Sequence, residues 1–411
     1  MKSRISSKMF ALGMALLMIF SLLGAPFPAG RGYAETAAAG YQEAGVTDAL
    51  YAADAGSSSQ SISVTDAVYS AAEYILKQGV TSDWQAIGLA QAGYKVPDSY
   101  GAALQNTVKN AGGNFSAVTD YARIALAVKA IGHDPTNIEG YNLIGSIYNS
   151  DGIIGQSLNN TVYGLIALDS GSYTVPSDAK WTRDKLVQEI LSAQNVDGGF
   201  PLITGGPSGP DTTAMALAAL SPYKSDPTVA TAGQKAVQWL SNQQNTAHAG
   251  YGDSSESVSQ AVIGLTAYGV DPAGSGFTKN GGNLISRLMS FRAADGSFAH
   301  MAGEGSNALA TEQALQALVA YNLFIRGGDS NLYDFIDHPP AVHPLVHVTV
   351  AIEGPEASLG EGSVYGSSAL DALNKLAEAK GIAVVSTSSQ YGTYISEIGG
   401  IQQKKYGGYD G

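Results

Sequence analysis

From about residue 62 the chain alternates two kinds of apolar pattern. The first kind is AVYSAAEYILKQ (67–78), DKLVQEILSAQ (184–194), QKAVQWLSNQQ (234–244) and NLISRLMSFRA (283–293). Large apolar residues three and four apart predict a helix with one apolar stripe. The second kind is SDWQAIGLAQAGYKVP (82–97), TDYARIALAVKAIGHDP (119–135), TVYGLIALDSGSYTVP (161–176), DTTAMALAALSPY (211–223), SVSQAVIGLTAYGVDP (257–272) and ATEQALQALVAYN (310–322). These segments are rich in Ala and Gly, so a helix built from them packs closely on both sides and is expected inside.

Six copies of the second pattern align on Leu89, Leu126, Leu168, Leu220, Leu265 and Leu318, at steps of 37, 42, 52, 45 and 53 residues. A period of that length with Gly and Pro punctuation predicts a helical hairpin, and each hairpin needs neighbours to bury its apolar face. The expectation is a mainly α fold in which six hairpins over 62–325 close into a double ring of helices. DGGF (197–200), DGSF (296–299) and HAGYG (248–252) recur between paired helices, where Asp-Gly turns with an aromatic plug suffice to join one repeat to the next.

After Arg326 the pattern changes. GGDSNLYDFIDHPPAVHP is polar, proline-bearing and aperiodic, and 326–344 reads as an interdomain linker. LVHVTVAIEG then alternates as a strand, GSSALDALNKLAEAKGI is an amphipathic helix stopped by Gly381, and AVVSTSS and YGTYISEIGGI read as short strands. Residues 345–411 are therefore expected to form a small α/β domain.

At the other end, Lys2, Arg4 and Lys8 precede MFALGMALLMIFSLLG and the small-residue boundary before Glu35. That order predicts a signal peptide over 1–34, and the Ala/Gly/Ser-rich stretch 35–61 a flexible leader. The formal charge of −13 then becomes about −17, which argues against a nucleic-acid partner, because phosphate binding needs clustered Lys and Arg. No cysteine occurs, so disulfides and thiolate metal sites are excluded. The expected location is extracellular or on a bacterial surface, with a cell-wall or surface partner and no membrane span left after cleavage.

The unit QNVDGGF…DTTAMALAAL resembles the α/α-toroid repeat of terpene cyclases, protein prenyltransferases and the cobalamin carriers of the transcobalamin and intrinsic factor family. The tail, with its SALDAL helix and YGTYISEIGG turn, is similar to the carriers' C-terminal domain. It stops at KKYGGYDG, where that family's last strand would begin, so the domain is expected to be incomplete. The resemblance implies a six-repeat toroid followed by a transcobalamin-like domain, a corrinoid such as cobalamin as a small-molecule ligand between them, and no required cofactor. Alternatives from other classes are an extracellular terpene-cyclase-like or glycan-active enzyme and a surface adhesion scaffold.

The chemistry-bearing residues cluster where the inner helices begin. In protonating cyclases an Asp-x-Asp-Asp-Thr-Ala motif supplies the acid. On GPDTTA its middle Asp is Asp211, but the flanking acids fall on Gly209 and Thr212. The resemblance to the carriers instead places Asp211 and Thr212 at the edge of a ligand rich in amide N–H donors, for which a carboxylate is the matching acceptor. Equivalent starts are Asp83, Asp120, Asn160 with Thr161, Glu256, and Glu312, with Gln85, Tyr121, Tyr163 and Gln260 slightly further in. Against this stands the plainer reading that the acids only cap their helices, worth about 1 kcal/mol each. His338, His343 and His347 fall close together, but their spacing matches no metal site.

Overall fold

The computed structural model describes residues 63–152, 157–327, 330–341, 345–355, 357–389 and 392–402. The expected signal peptide and leader lie outside them, as do residues 403–411 and His343. The described chain is mainly helical, with small antiparallel sheets.

Six helices carry the Ala/Gly-rich pattern: α2 (Asp83–Gln91), α4 (Val118–Ala130), α6 (Leu158–Asp169), α8 (Pro210–Leu220), α10 (Ser255–Tyr268) and α12 (Ala308–Ile325). The striped helices alternate with them: α1 (Val64–Gln78), α3 (Asp98–Asn110), α5 (Leu143–Tyr148), α7 (Arg183–Ser192), α9 (Pro227–Gln243) and α11 (Leu284–Met289). Helix α2 packs on α4, α4 on α6, α6 on α8, α8 on α10 and α10 on α12, and α12 returns to α2, so these six form a closed cycle of contacts. The striped helices lie outside it, α1 against α12 and α2, α5 against α4 and α6, and α9 against α8 and α10.

The six aligned leucines are all 0% exposed. Full burial of each contributes about 1.5–3 kcal/mol relative to an exposed side chain, which is why the repeat preserves a large apolar residue at that place. Between them small residues let the helices approach. At Gly264 on α10 a Cβ would lie 2.2 Å from the carbonyl oxygen of Ala214 on α8, so any side chain there would push the two helices apart.

The inner helices are capped by residues other than the acids. Ser82, Ser157, Ser254 and Asn307 accept backbone N–H groups at the starts of α2, α6, α10 and α12. Helix α8 begins with Pro210 after Gly209, and neither makes a side-chain cap; Pro is suited to a first turn because its missing N–H would be unbonded there anyway. The capping explanation for Asp83, Asp120, Asn160, Asp211, Glu256 and Glu312 is thus overturned: each sits inside its helix, one to five residues past the cap.

The turns between repeats are held by carboxylates. Asp197 accepts from the Gly199 N–H at 3.0 Å, Ser208 Oγ at 2.8 Å and Trp239 Nε1 at 3.0 Å. Asp295 repeats the pattern with Ser297 and Ser306, at the short antiparallel pair β1 (Phe298–Ala299) and β2 (Ser306–Asn307). Phe200 and Phe298, the aromatic ends of DGGF and DGSF, are fully buried.

The segment read as a linker also closes one end of the cycle. Ser330 Oγ donates to the carbonyl of Thr266 near the end of α10, Asn331 Nδ2 to Ser221 Oγ past α8, and the Phe335 N–H to the carbonyl of Ser170 past α6. Leu332, Tyr333 and Phe335 are buried. One short stretch of chain therefore spans the C-terminal ends of three inner helices.

The tail begins with a hairpin of β3 (Val346–Glu353) and β4 (Ser358–Gly366), crossed by α13 (Ala369–Lys380). A second antiparallel sheet follows, β5 (Val384–Ser389), β6 (Gly392–Ile398) and β7 (Ile401–Gln402). Ile352 of β3 and Leu376 and Ala377 of α13 form the core of the tail, with Val350, Leu359, Val364 and Ile398 packed around them. Strand β4 was not anticipated, because its glycines break the apolar alternation. They serve packing instead: a Cβ on Gly366 would lie 2.7 Å from that of Ala372 on α13.

Candidate functional site

Polar residues of the inner helices gather at the N-terminal end of the cycle, opposite the end spanned by 330–337. On the α2/α4/α12 side an ionic network forms. Arg123 of α4 pairs with Asp83 of α2, which also accepts from the Tyr100 hydroxyl. The same guanidinium reaches Asp120 at 3.4 Å and acts on Glu312 of α12, whose carboxyl burial pushes up to about 7 against the lowering effects of Ser82 and Arg123. One cation thus serves three carboxyl groups, and Glu312 stays ionisable near neutrality.

The α8/α10 side is built differently. Glu256 is buried and accepts from Ser254 Oγ at 2.9 Å and Ser255 Oγ at 3.3 Å. His300 Nδ1 lies 2.9 and 2.8 Å from its two oxygens. The backbone fixes this contact, since the Ser255 N–H donates to the His300 carbonyl at 3.0 Å. Beside Glu256 is Asp211. Burial holds its carboxyl above the usual range, a hydrogen bond from Ser257 works the other way, and the Glu256 charge raises it further. Asp211 Oδ1 is shielded from solvent and accepts no hydrogen bond from the described residues. A buried oxygen left in that condition costs about 1–3 kcal/mol.

Aromatic rings fill the space between the two sides. Trp84 of α2 and Tyr163 of α6 meet with centroids 5.5 Å apart, although α4 separates their helices in the cycle. Tyr333 enters from the other end and packs edge-on against Trp84 at 6.3 Å. Burial raises the Tyr163 hydroxyl, and the charge of Asp211 raises it further.

Of the residues singled out from sequence, Asp83, Asp120 and Glu312 converge on Arg123, and Asp211, Glu256 and Tyr163 converge on the other side. Gln260 Nε2 donates to Gln313 Oε1 at 3.3 Å between α10 and α12. Asn160 Nδ2 is bonded to the Gly152 carbonyl at 2.9 Å, and Thr161 and Thr212 are buried. Two candidates make local bonds. Gln85 Oε1 accepts from the Thr81 and Ser82 N–H groups, completing a capping box at its own helix start. The Tyr121 hydroxyl accepts from the Phe115 N–H at 2.9 Å and its ring packs on Phe115, so it ties down a loop. Arg123, His300, Trp84 and Tyr333 were missed. Arg123 alone had a signal, its position three residues after Asp120 on one helix face.

The tail meets the helical part elsewhere. The Leu345 N–H donates to the Gly93 carbonyl at 2.7 Å and the Lys95 N–H to the Leu345 carbonyl at 3.3 Å. Tyr94 packs on Tyr365 at 4.9 Å, and His347 on the same ring. These contacts lie just past the C-terminal end of α2, whereas Asp83 begins that helix. The acids and the junction therefore lie at opposite ends of α2. A separate groove of about 440 Å³ lies near the junction, lined by Tyr94, Lys95, Gly101, Gln105, His133 and Pro340 among others.

No family model matches the chain, and no curated protein matches it. Among solved structures, haptocorrin in a crystal structure in complex with Cbi aligns with 83% of this chain and 87% of its own length, at 13% identity and a TM-score of 0.31. No helix among the described residues is long and apolar enough to cross a membrane.

Proposed function

We propose that this is an exported or surface-exposed small-molecule-binding protein in which the closed cycle of helices is a six-hairpin α/α toroid, the tail a transcobalamin-like domain, and the N-terminal end of the inner helices the ligand site. The observation that carries this reading is Asp211 Oδ1, a buried acceptor with no donor among the described residues, beside Glu256 and Tyr163. Such an atom is matched by a ligand N–H. A corrinoid is the first candidate class, since its peripheral amides present several N–H groups at the edge of a flat body.

The test is a calorimetric and absorbance titration of the full chain with cobalamin and cobinamide. Saturable one-to-one binding that weakens at least tenfold in Asp211→Asn supports the reading. No binding of either leaves the corrinoid assignment without support and favours a scaffold role for the helical part.

The same carboxyl favours a second reading. A carboxyl that burial makes hold its proton more tightly than an ordinary aspartate can donate that proton to a substrate, as an extracellular cyclase-like or glycan-active enzyme requires. Product formation from a polyprenyl or oligosaccharide substrate, lost in Asp211→Asn, would establish it; an inert wild-type chain would dismiss it.

A further inference from the structure

The tail and the helical part meet at a cluster that contains a titratable ring. Two backbone bonds cross the junction there, from the Leu345 N–H to the Gly93 carbonyl at 2.7 Å and from the Lys95 N–H to the Leu345 carbonyl at 3.3 Å. Beside them a run of rings passes from α1 to the hairpin of β3 and β4. Tyr69 meets Tyr94 edge-on at 6.2 Å, Tyr94 meets Tyr365 at 4.9 Å, and Tyr365 meets the His347 imidazole at 4.9 Å, tilted by 47°. His347 and Tyr365 stand opposite each other in the register of the hairpin, so they share one of its faces. Helix α13 covers the other face, where Cβ atoms on Gly362 and Gly366 would meet Leu376 and Ala372. The His347 face is therefore turned away from α13, and His347 is exposed.

The charged and titratable groups about the imidazole come from each element at the junction. Glu73 stands on α1 one turn beyond Tyr69 and on the same helix face, with Lys77 a further turn on. Tyr94 and Lys95 follow α2, and Lys95 is paired with Asp98 at 3.0 Å. Tyr365 lies on β4, and Lys375 of α13 bonds its carbonyl at 2.9 Å while pairing with Asp371. Lys95 and Lys375 are thus engaged with acids of their own, and Glu73 is the carboxyl that answers to His347. Burial raises the Glu73 carboxyl and the His347 charge lowers it, while burial and then the Glu73 charge raise the Tyr365 hydroxyl.

We propose that His347 is a pH-responsive latch between the tail and the helical part. With a proton on it, the imidazole is a cation against the Tyr365 ring and in the field of the Glu73 carboxylate, and it holds the hairpin to Tyr94. Without that proton both attractions go, and only the ring contacts remain. Imidazoles exchange the proton between about pH 5 and 8, so the joint tightens in a mildly acidic medium. Salt weakens the effect, because the ring is exposed.

The test follows amide hydrogen exchange of the full chain in low salt at pH 6 and pH 8, with each rate divided by that of an unstructured peptide at the same pH. The Leu345 and Lys95 amides are the reporters, since their bonds cross the junction. Their protection is expected to fall about two- to fivefold from the lower pH to the higher, the size of a cation–ring contact at an exposed site. In His347→Gln protection is expected to stay at the higher-pH value throughout, and in Glu73→Gln the fall is expected to shrink. His248→Gln, in the turn before α10, keeps the full response. A parent protein without the fall, or a variant of His347 or Glu73 that keeps it in full, overturns the proposal.

Discussion

Trp84 and Tyr163 stand on helices that are not neighbours in the cycle, yet their ring centroids are 5.5 Å apart. The contact passes over the place of α4 in the cycle and is backed by Tyr333, which comes from outside the repeats. Tyr333→Ala is expected to cost about 3–5 kcal/mol, as for other buried aromatics, and to open the far end of the cycle. Urea denaturation and acrylamide quenching of tryptophan fluorescence check it. Unchanged stability and quenching would reduce 330–337 to a surface strap.

Asp211→Asn should leave thermal stability equal to or above that of the parent protein. The residue is not a cap, and the variant removes a carboxyl that burial and Glu256 disfavour in its charged form. A loss above about 1 kcal/mol, of the size measured for caps, would show that the side chain holds the start of α8. Calorimetric melting decides between the two.

Glu312 sets a pH dependence. Its carboxyl titrates near 7 in the folded chain against an ordinary 4.5, so the folded state retains a proton that the unfolded chain has released. This group's contribution is fully present below about pH 4.5 and is lost as pH rises through 7. Melting temperatures measured from pH 5 to 8 should therefore fall in the parent protein relative to Glu312→Gln. A constant difference across that range would contradict the assignment.

Asp197→Ala deprives the Gly199 N–H, Ser208 Oγ and Trp239 Nε1 of one acceptor together. A cost of about 1–3 kcal/mol is expected, with a shift in tryptophan emission as Trp239 loses its partner. Intact stability would mean that the aromatic plug Phe200 alone holds the turn.

Glu256→Gln replaces one acceptor of the His300 contact and should loosen the 298–307 loop, whose other ties to α10 are the Ser255 N–H and Ser255 Oγ. Amide hydrogen exchange at Met301 to Asn307 should quicken while α8 stays protected. Faster exchange throughout α8 and α10 would instead place Glu256 in the support of the whole cycle.

The sequence by itself determined the number and kind of the helices. A buried leucine recurring every 37 to 53 residues, framed by Ala and Gly, can satisfy its burial only in a helix packed on both sides. It also determined which residue types stand at the inner-helix starts, because polar side chains there interrupt otherwise apolar text. It did not determine what those residues do. From sequence Asp211 and Asp83 passed as caps, and only the backbone reveals that Gly209 and Ser82 take those positions. Nor did it tell that Arg123 would serve three carboxyl groups on one side while His300 meets Glu256 on the other. The tertiary structure decided those pairings, and it decided that Tyr333 would enter the cycle and that the tail would join at the far end of α2. The physical reason is one of range. Periodicity reports which face of a helix avoids water, a property of neighbouring residues, whereas charge pairing and ring packing depend on groups 40 or more residues apart that meet only once the cycle closes.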